Sequence, residues 1–129
     1  MKRFMLAVTC FIFIIGTSSS VFAVDAKIRI GGIYSNMTYS GDSGDVSGQE
    51  IFVIYSADQY WVVSQCAEGG PLEPVMVPAK ETGKNTLEFT VTGNNICAST
   101  FKVTFQKKKA LIEPALYERP LMKRHSYWH

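Results

Sequence analysis

Histidine is almost missing from this 129-residue chain: the only two, His125 and His129, stand among its last five residues. A histidine base held by a carboxylate, or a histidine-rich metal set, therefore has no material in the body of the chain. Cysteine is scarce as well, with only Cys10, Cys66 and Cys97. No stretch outside the first residues carries the apolar period of an amphipathic helix, and no apolar run reaches the roughly 20 residues that cross a bilayer as a helix. Repeats and low-complexity linkers are also lacking. What remains is a chain rich in β-branched and aromatic residues, broken by glycine, proline, asparagine and aspartate.

The first residues have their own pattern. Lys2 and Arg3 precede the apolar stretch from Phe4 to Gly16, and small residues lead to Val21-Phe22-Ala23. A basic start, an apolar core and small residues before a cut make a secretory signal peptide, so residues 1–23 are expected to leave and the mature chain to begin at Val24. Cys10 leaves with them. The remaining 106 of 129 residues make one domain, expected over 24–129. Export places the product in the periplasm or outside the cell, with no stable membrane span after cleavage. In an oxidising compartment Cys66 and Cys97, the only mature thiols, have a single possible pairing.

The mature chain carries 11 basic and 11 acidic side chains, unevenly spread. Residues 24–101 hold 4 basic and 9 acidic ones, and residues 102–129 hold 7 and 2. A basic C-terminal tail of this kind can mark an anionic surface or nucleic acid, but is expected to complement the acidic part of its own domain. Without a basic groove motif, nucleic acid is not an expected partner.

Two runs between Glu50 and Ala67, separated by Ser56-Ala57-Asp58-Gln59, have the composition of a β-hairpin. Pairing Tyr55 with Tyr60 puts Ile51, Val53, Tyr55, Tyr60, Val62, Ser64 and Cys66 on one face and Phe52, Ile54, Trp61, Val63 and Gln65 on the other. Neither face is polar, so the hairpin is expected at the centre of the fold with one face on the core and the other under a partner or the tail. Further strands are expected over Asp25 to Tyr34, Pro74 to Lys80, Thr86 to Thr92, Thr100 to Gln106 and Ala110 to Leu116. Asn36 to Gly48 reads as a loop, Pro78 argues for an edge strand, and the tail from Arg119 has no clear period. The fold class is all-β: a small antiparallel β-barrel or sandwich of about six to seven strands after an N-terminal signal helix.

Chemistry is thinly represented. Gly41-Asp42-Ser43-Gly44-Asp45 is similar to the stretch around the serine of trypsin-like proteases, yet no histidine is placed to activate Ser43. Asp42, Asp45 and Glu50 are hard oxygen donors, but their spacing is not that of the twelve-residue calcium loop, and glycine, serine and aspartate are ordinary turn formers. No catalytic residue, metal or other cofactor is therefore expected. The candidate binding residues are Phe52, Ile54, Trp61, Val63 and Tyr34.

Residues 31–55, 60–78, 87–91 and 123–128 together resemble small exported bacterial proteins without an assigned function. That resemblance implies an envelope or secreted setting and a compact β fold. Gly32-Ile33-Tyr34 is also similar to the glycine-x-tryptophan start of lipocalins, with Tyr34 in place of the tryptophan. The expected function is a non-enzymatic binding or inhibitory module of the bacterial envelope, contacting an envelope protein, a glycan or a small apolar ligand. The alternative is a structural envelope component acting through self-association; a small hydrolase ranks last.

Overall fold

The computed structural model of the chain describes residues 29–93 and 96–125. The expected signal segment and cleavage point, and the last four residues of the tail, lie outside these. Among the described residues the fold is all-β, with strands β1 (Gly32–Ser35), β2 (Thr38–Tyr39), β3 (Val46–Ser56), β4 (Gln59–Gly69) and β5 (Val75–Gly83) followed by β6 (Thr86–Val91), β7 (Ser99–Phe105), β8 (Lys109–Glu113) and β9 (Leu121–Arg124). Every pairing is antiparallel, and β1 pairs with both β3 and β9. Eight strands thereby close into a barrel, with β2 added beside the start of β3. Closure removes the sheet edges that an open sandwich would leave.

The expected hairpin forms in the expected register, Tyr55 opposite Tyr60 and Val53 opposite Val62. Ala57 and Asp58 make its two-residue turn with φ of 52° and 58°. Positive φ at both central residues gives the turn a twist that matches the flanking strands. Alternation then sorts the side chains. Ile51, Val53, Val62, Leu87, Phe101, Val103, Phe105 and Leu121 fill the interior, while Glu88, Thr90, Lys102 and Glu113 face outward on β6 to β8. This apolar-in arrangement is the reverse of that in an outer-membrane barrel.

Five sequence expectations need correction, the first being the number of strands, which is nine among the described residues where about six to seven were expected. The tail, without visible period, supplies β9, and without β9 the barrel does not close. Lys123 points to the interior side, opposite Tyr34, and spoils the alternation; its Nζ is satisfied by the Arg29 carbonyl at 3.0 Å. Residues 25–28 of the strand expected from Asp25 lie outside the described residues; of the rest, 29–31 precede β1, which begins at Gly32, and Ile30 lies in the barrel mouth, 2% exposed. The expected loop contains β2 and the first residues of β3. Finally, Pro78 lies within the closed barrel, opposite Trp61. Its missing N–H faces β6 just outside the ladder, which starts at Ala79, so no hydrogen bond is lost.

Beyond the β1–β2 break, β3 changes partner, and the corner rests on Asn36 and Gly48. The Asn36 backbone N–H donates to the Gln49 carbonyl at 3.0 Å, its Oδ1 accepts from the Gln49 N–H at 2.7 Å, and its Nδ2 donates to the Arg119 carbonyl at 2.7 Å. Gly48 has a φ of 135°, and a Cβ there would lie 2.6 Å from the Met37 Cα. Both sterics and backbone exclude a side chain. Gly48→Ala should lower unfolding free energy by about 2–3 kcal/mol, read from a urea titration of the purified protein.

One end of the barrel carries the β3–β4 turn and the start of β1; the other carries the Cys66 to Cys97 disulfide. Cys66 is an inward residue of β4 and Cys97 lies between β6 and β7, so the bond straps across two intervening strands. The Tyr117 hydroxyl adds a tie to the Ala67 carbonyl at 3.0 Å.

Candidate functional site

The outward face of the central hairpin does not end at its own strands. Cross-strand partners share a face, and the pairings Ile33 to Phe52, Phe52 to Val63 and Val63 to Met76 form one apolar row across β1, β3, β4 and β5. Ile54, Trp61 and Pro78 form a second row beside it. Three strand spacings make the first row about 14 Å wide, and two make the second about 10 Å. Phe52 is 37% exposed and Met76 62% exposed, with Ile33, Ile54, Trp61 and Val63 partly buried between them.

Charge lies at the margin of this face. Arg124 Nη1 approaches Glu50 Oε2 at 3.8 Å beside the Ile33 end, and Lys80 is exposed beyond Pro78. An apolar centre holding aromatic and methionine side chains, with charged residues around it, has the anatomy of a protein contact surface.

The expected candidates Phe52, Ile54, Trp61 and Val63 thus stand together on this face. Tyr34 does not join them. It points into the barrel and is fully buried, packed edge-on against Phe105 with ring centroids 5.0 Å apart. Its hydroxyl donates to the Ile30 carbonyl at 3.1 Å, and burial pushes its pKa up to about 12. Tyr34 therefore plugs the barrel and presents nothing to a partner. Ile33, Met76 and Pro78 were not singled out from the sequence, since their membership depends on strand order. Once the hairpin register is known, extending the same parity to the neighbouring strands finds them.

Other features are chemically quiet. The Ser43 region forms a tight turn between β2 and β3, in which the Ser40 N–H donates to the Asp45 carbonyl and the Gly44 N–H to the Ser40 carbonyl. Glu50 stands apart from it, beside Arg124. Among the described residues no three His, Cys, Asp or Glu side chains gather as a metal set. Inside the barrel the amide of Gln49 and the hydroxyl of Ser64 are buried without a hydrogen-bonding partner. Comparison of the chain with family models, with curated proteins and with solved structures gave no match.

Proposed function

We propose that the protein is a non-enzymatic binding module of the bacterial envelope, and that the outward face of β1, β3, β4 and β5 is its contact surface. The observation that carries this reading is the unbroken apolar row Ile33, Phe52, Val63 and Met76. Strands β6 and β7 of the same barrel face outward with Glu88, Thr90, Thr100 and Lys102, and β8 adds the single apolar Leu111, so the row is a local departure from the barrel's own pattern. The rows lie on the convex outside of the barrel, and only Phe52 and Ile54 among them also border an open concavity at the hairpin end. That shape favours another protein over a small apolar ligand or a glycan, both of which gain from concave sites. Complete burial of each large apolar side chain contributes about 1.5–3 kcal/mol, enough for a few of them to set an affinity.

Met76 offers a clean test because its side chain is 62% exposed and fills no interior space. Immobilised wild-type protein and Met76→Asp should have the same melting temperature. The variant should lose a partner that the wild type captures from envelope extract, with a fall in affinity of about tenfold or more. Equal capture by both proteins would overturn the reading. A wild type that sediments as a dimer and a variant that sediments as a monomer would favour the self-associating component.

A further inference from the structure

We infer that the end of the barrel that carries the β3–β4 turn, with Arg29, Lys84, Lys107, Lys108, Lys123 and Arg124, docks the protein on an anionic phospholipid surface. This goes beyond the apolar rows, which lie on the side of the barrel, and does not depend on them.

The fold turns the charge asymmetry of the sequence into an asymmetry of the molecule. From β3 to β9 successive strands are antiparallel neighbours, so every second connection lies at the same end. The β3–β4, β5–β6 and β7–β8 turns therefore share one end with the start of β1 and the close of β9. To the six cations named above this end adds Lys109, and its acidic residues are Asp58 and Glu81. The β2–β3, β4–β5 and β8–β9 connections lie at the disulfide end. They and the close of β4 bring Asp42, Asp45, Glu68, Glu73 and Glu118 there, with Arg119 the single basic residue among them. Residues 24–28, 94–95 and 126–129 carry only Asp25 and Lys27 as formally charged side chains, which cancel.

The cations are also held close together. The Lys123 N–H donates to the Lys108 carbonyl at 2.9 Å, and Lys123 Nζ donates to the Arg29 carbonyl at 3.0 Å, so three basic residues follow one another by direct contact. Arg124 has Glu50 beside it at 3.8 Å. Lys107 and Lys108 are exposed in the β7–β8 turn, and among the described residues no carboxylate pairs with either. Gathering like charges in this way works against folding through self-repulsion. A negative surface brought to this end offsets that repulsion.

The type of cation and its placement point to the type of anion. Lysines outnumber arginines here, and a lysine ammonium is a compact, hydrated point charge, without the fork that grips one phosphate or carboxylate in two places. They are carried on separate turns and strands and do not converge on one group. Such a spread suits the diffuse field of many headgroups. Near a negative membrane surface each lysine or arginine is worth about fivefold in binding.

Flotation of the mature protein with lipid vesicles tests this. Vesicles of phosphatidylcholine mixed with phosphatidylglycerol should bind it about tenfold or more better than phosphatidylcholine alone. The difference should vanish as salt rises from about 0.1 M to about 1 M, where the screening length falls from about 10 Å to about 3 Å. Lys107→Gln with Lys108→Gln should weaken vesicle binding about tenfold or more. Lys102→Gln with Arg119→Gln, the same loss of charge elsewhere on the barrel, should change it by less than about twofold. Equal binding to both vesicle types would overturn the inference. Equal weakening by the two double variants would overturn it too, by making net charge alone the cause. So would capture of an acidic protein from envelope extract that Lys107→Gln with Lys108→Gln abolishes while vesicles go unbound, which would assign this end to a protein partner.

Discussion

Replacing Cys66 and Cys97 together by alanine is expected to lower the unfolding free energy by about 3–4 kcal/mol. The two residues are 31 apart in sequence, and a cross-link over a loop of that length removes a corresponding share of unfolded-chain entropy. For a domain of this size the loss corresponds to a fall in melting temperature of roughly 15–25 °C. The effect is large because the interior is small. Leu87, Phe89, Phe101 and Val103 come from the β6–β7 hairpin and Val62 from β4, and the bond ties these two sides at one end of the barrel. Calorimetry with and without reductant measures it directly. A change below about 1 kcal/mol would mean that the strap does not constrain the unfolded chain as argued.

Tyr34→Ala should cost about as much, roughly 3–5 kcal/mol, because it empties a fully buried aromatic site against Phe105 that the closed strands cannot collapse to fill. Tyr34→Phe keeps the ring and loses one hydrogen bond to the Ile30 carbonyl, for about 1 kcal/mol. The two variants also separate in their response to alkali. Burial holds the folded-state pKa of Tyr34 at about 12 against an ordinary value of 10.0. A raised pKa means that the folded protein keeps the proton more tightly than the unfolded chain. The associated stability is complete below pH 10.0 and is lost as the pH rises toward about 12. Tyr34→Phe should lack that part of the alkaline loss. Urea titrations of both proteins across this interval read the difference, and parallel curves would contradict the assignment.

The hairpin was legible because local composition and pairing agree. β-Branched and aromatic runs flank a short polar turn, and Tyr55 meets Tyr60 as the alternation requires. The strands containing Leu87 and Phe101 were legible for the same reason, each with one wet face, and Cys66 with Cys97 followed from cysteine count and the expectation of export. Elsewhere tertiary contacts outweigh local pattern. β9 hides because Lys123 takes an inward position, made tolerable by the Arg29 carbonyl and by the Tyr34 ring 5.5 Å from its Nζ. Within the described residues β1 starts at Gly32 because Ile30 gains more by closing the barrel mouth than by alternating along an edge. Tyr34 has the composition of a contact residue and the position of a core residue, and only the parity of β1 against β3 distinguishes them. The same limit applies to the contact face. Its hairpin half was visible within one stretch of sequence, whereas Ile33 and Met76 join it through pairings with distant strands.

Hydroxyl-radical footprinting of the mature protein, free and in complex with the partner it captures, tests the proposed contact surface most directly. The expected result is protection of Phe52, Trp61 and Met76 on binding, with Leu111, 41% exposed on β8, unchanged. Protection of Leu111 with Met76 still open would place the partner on the polar side of the barrel and contradict the assignment of the apolar row.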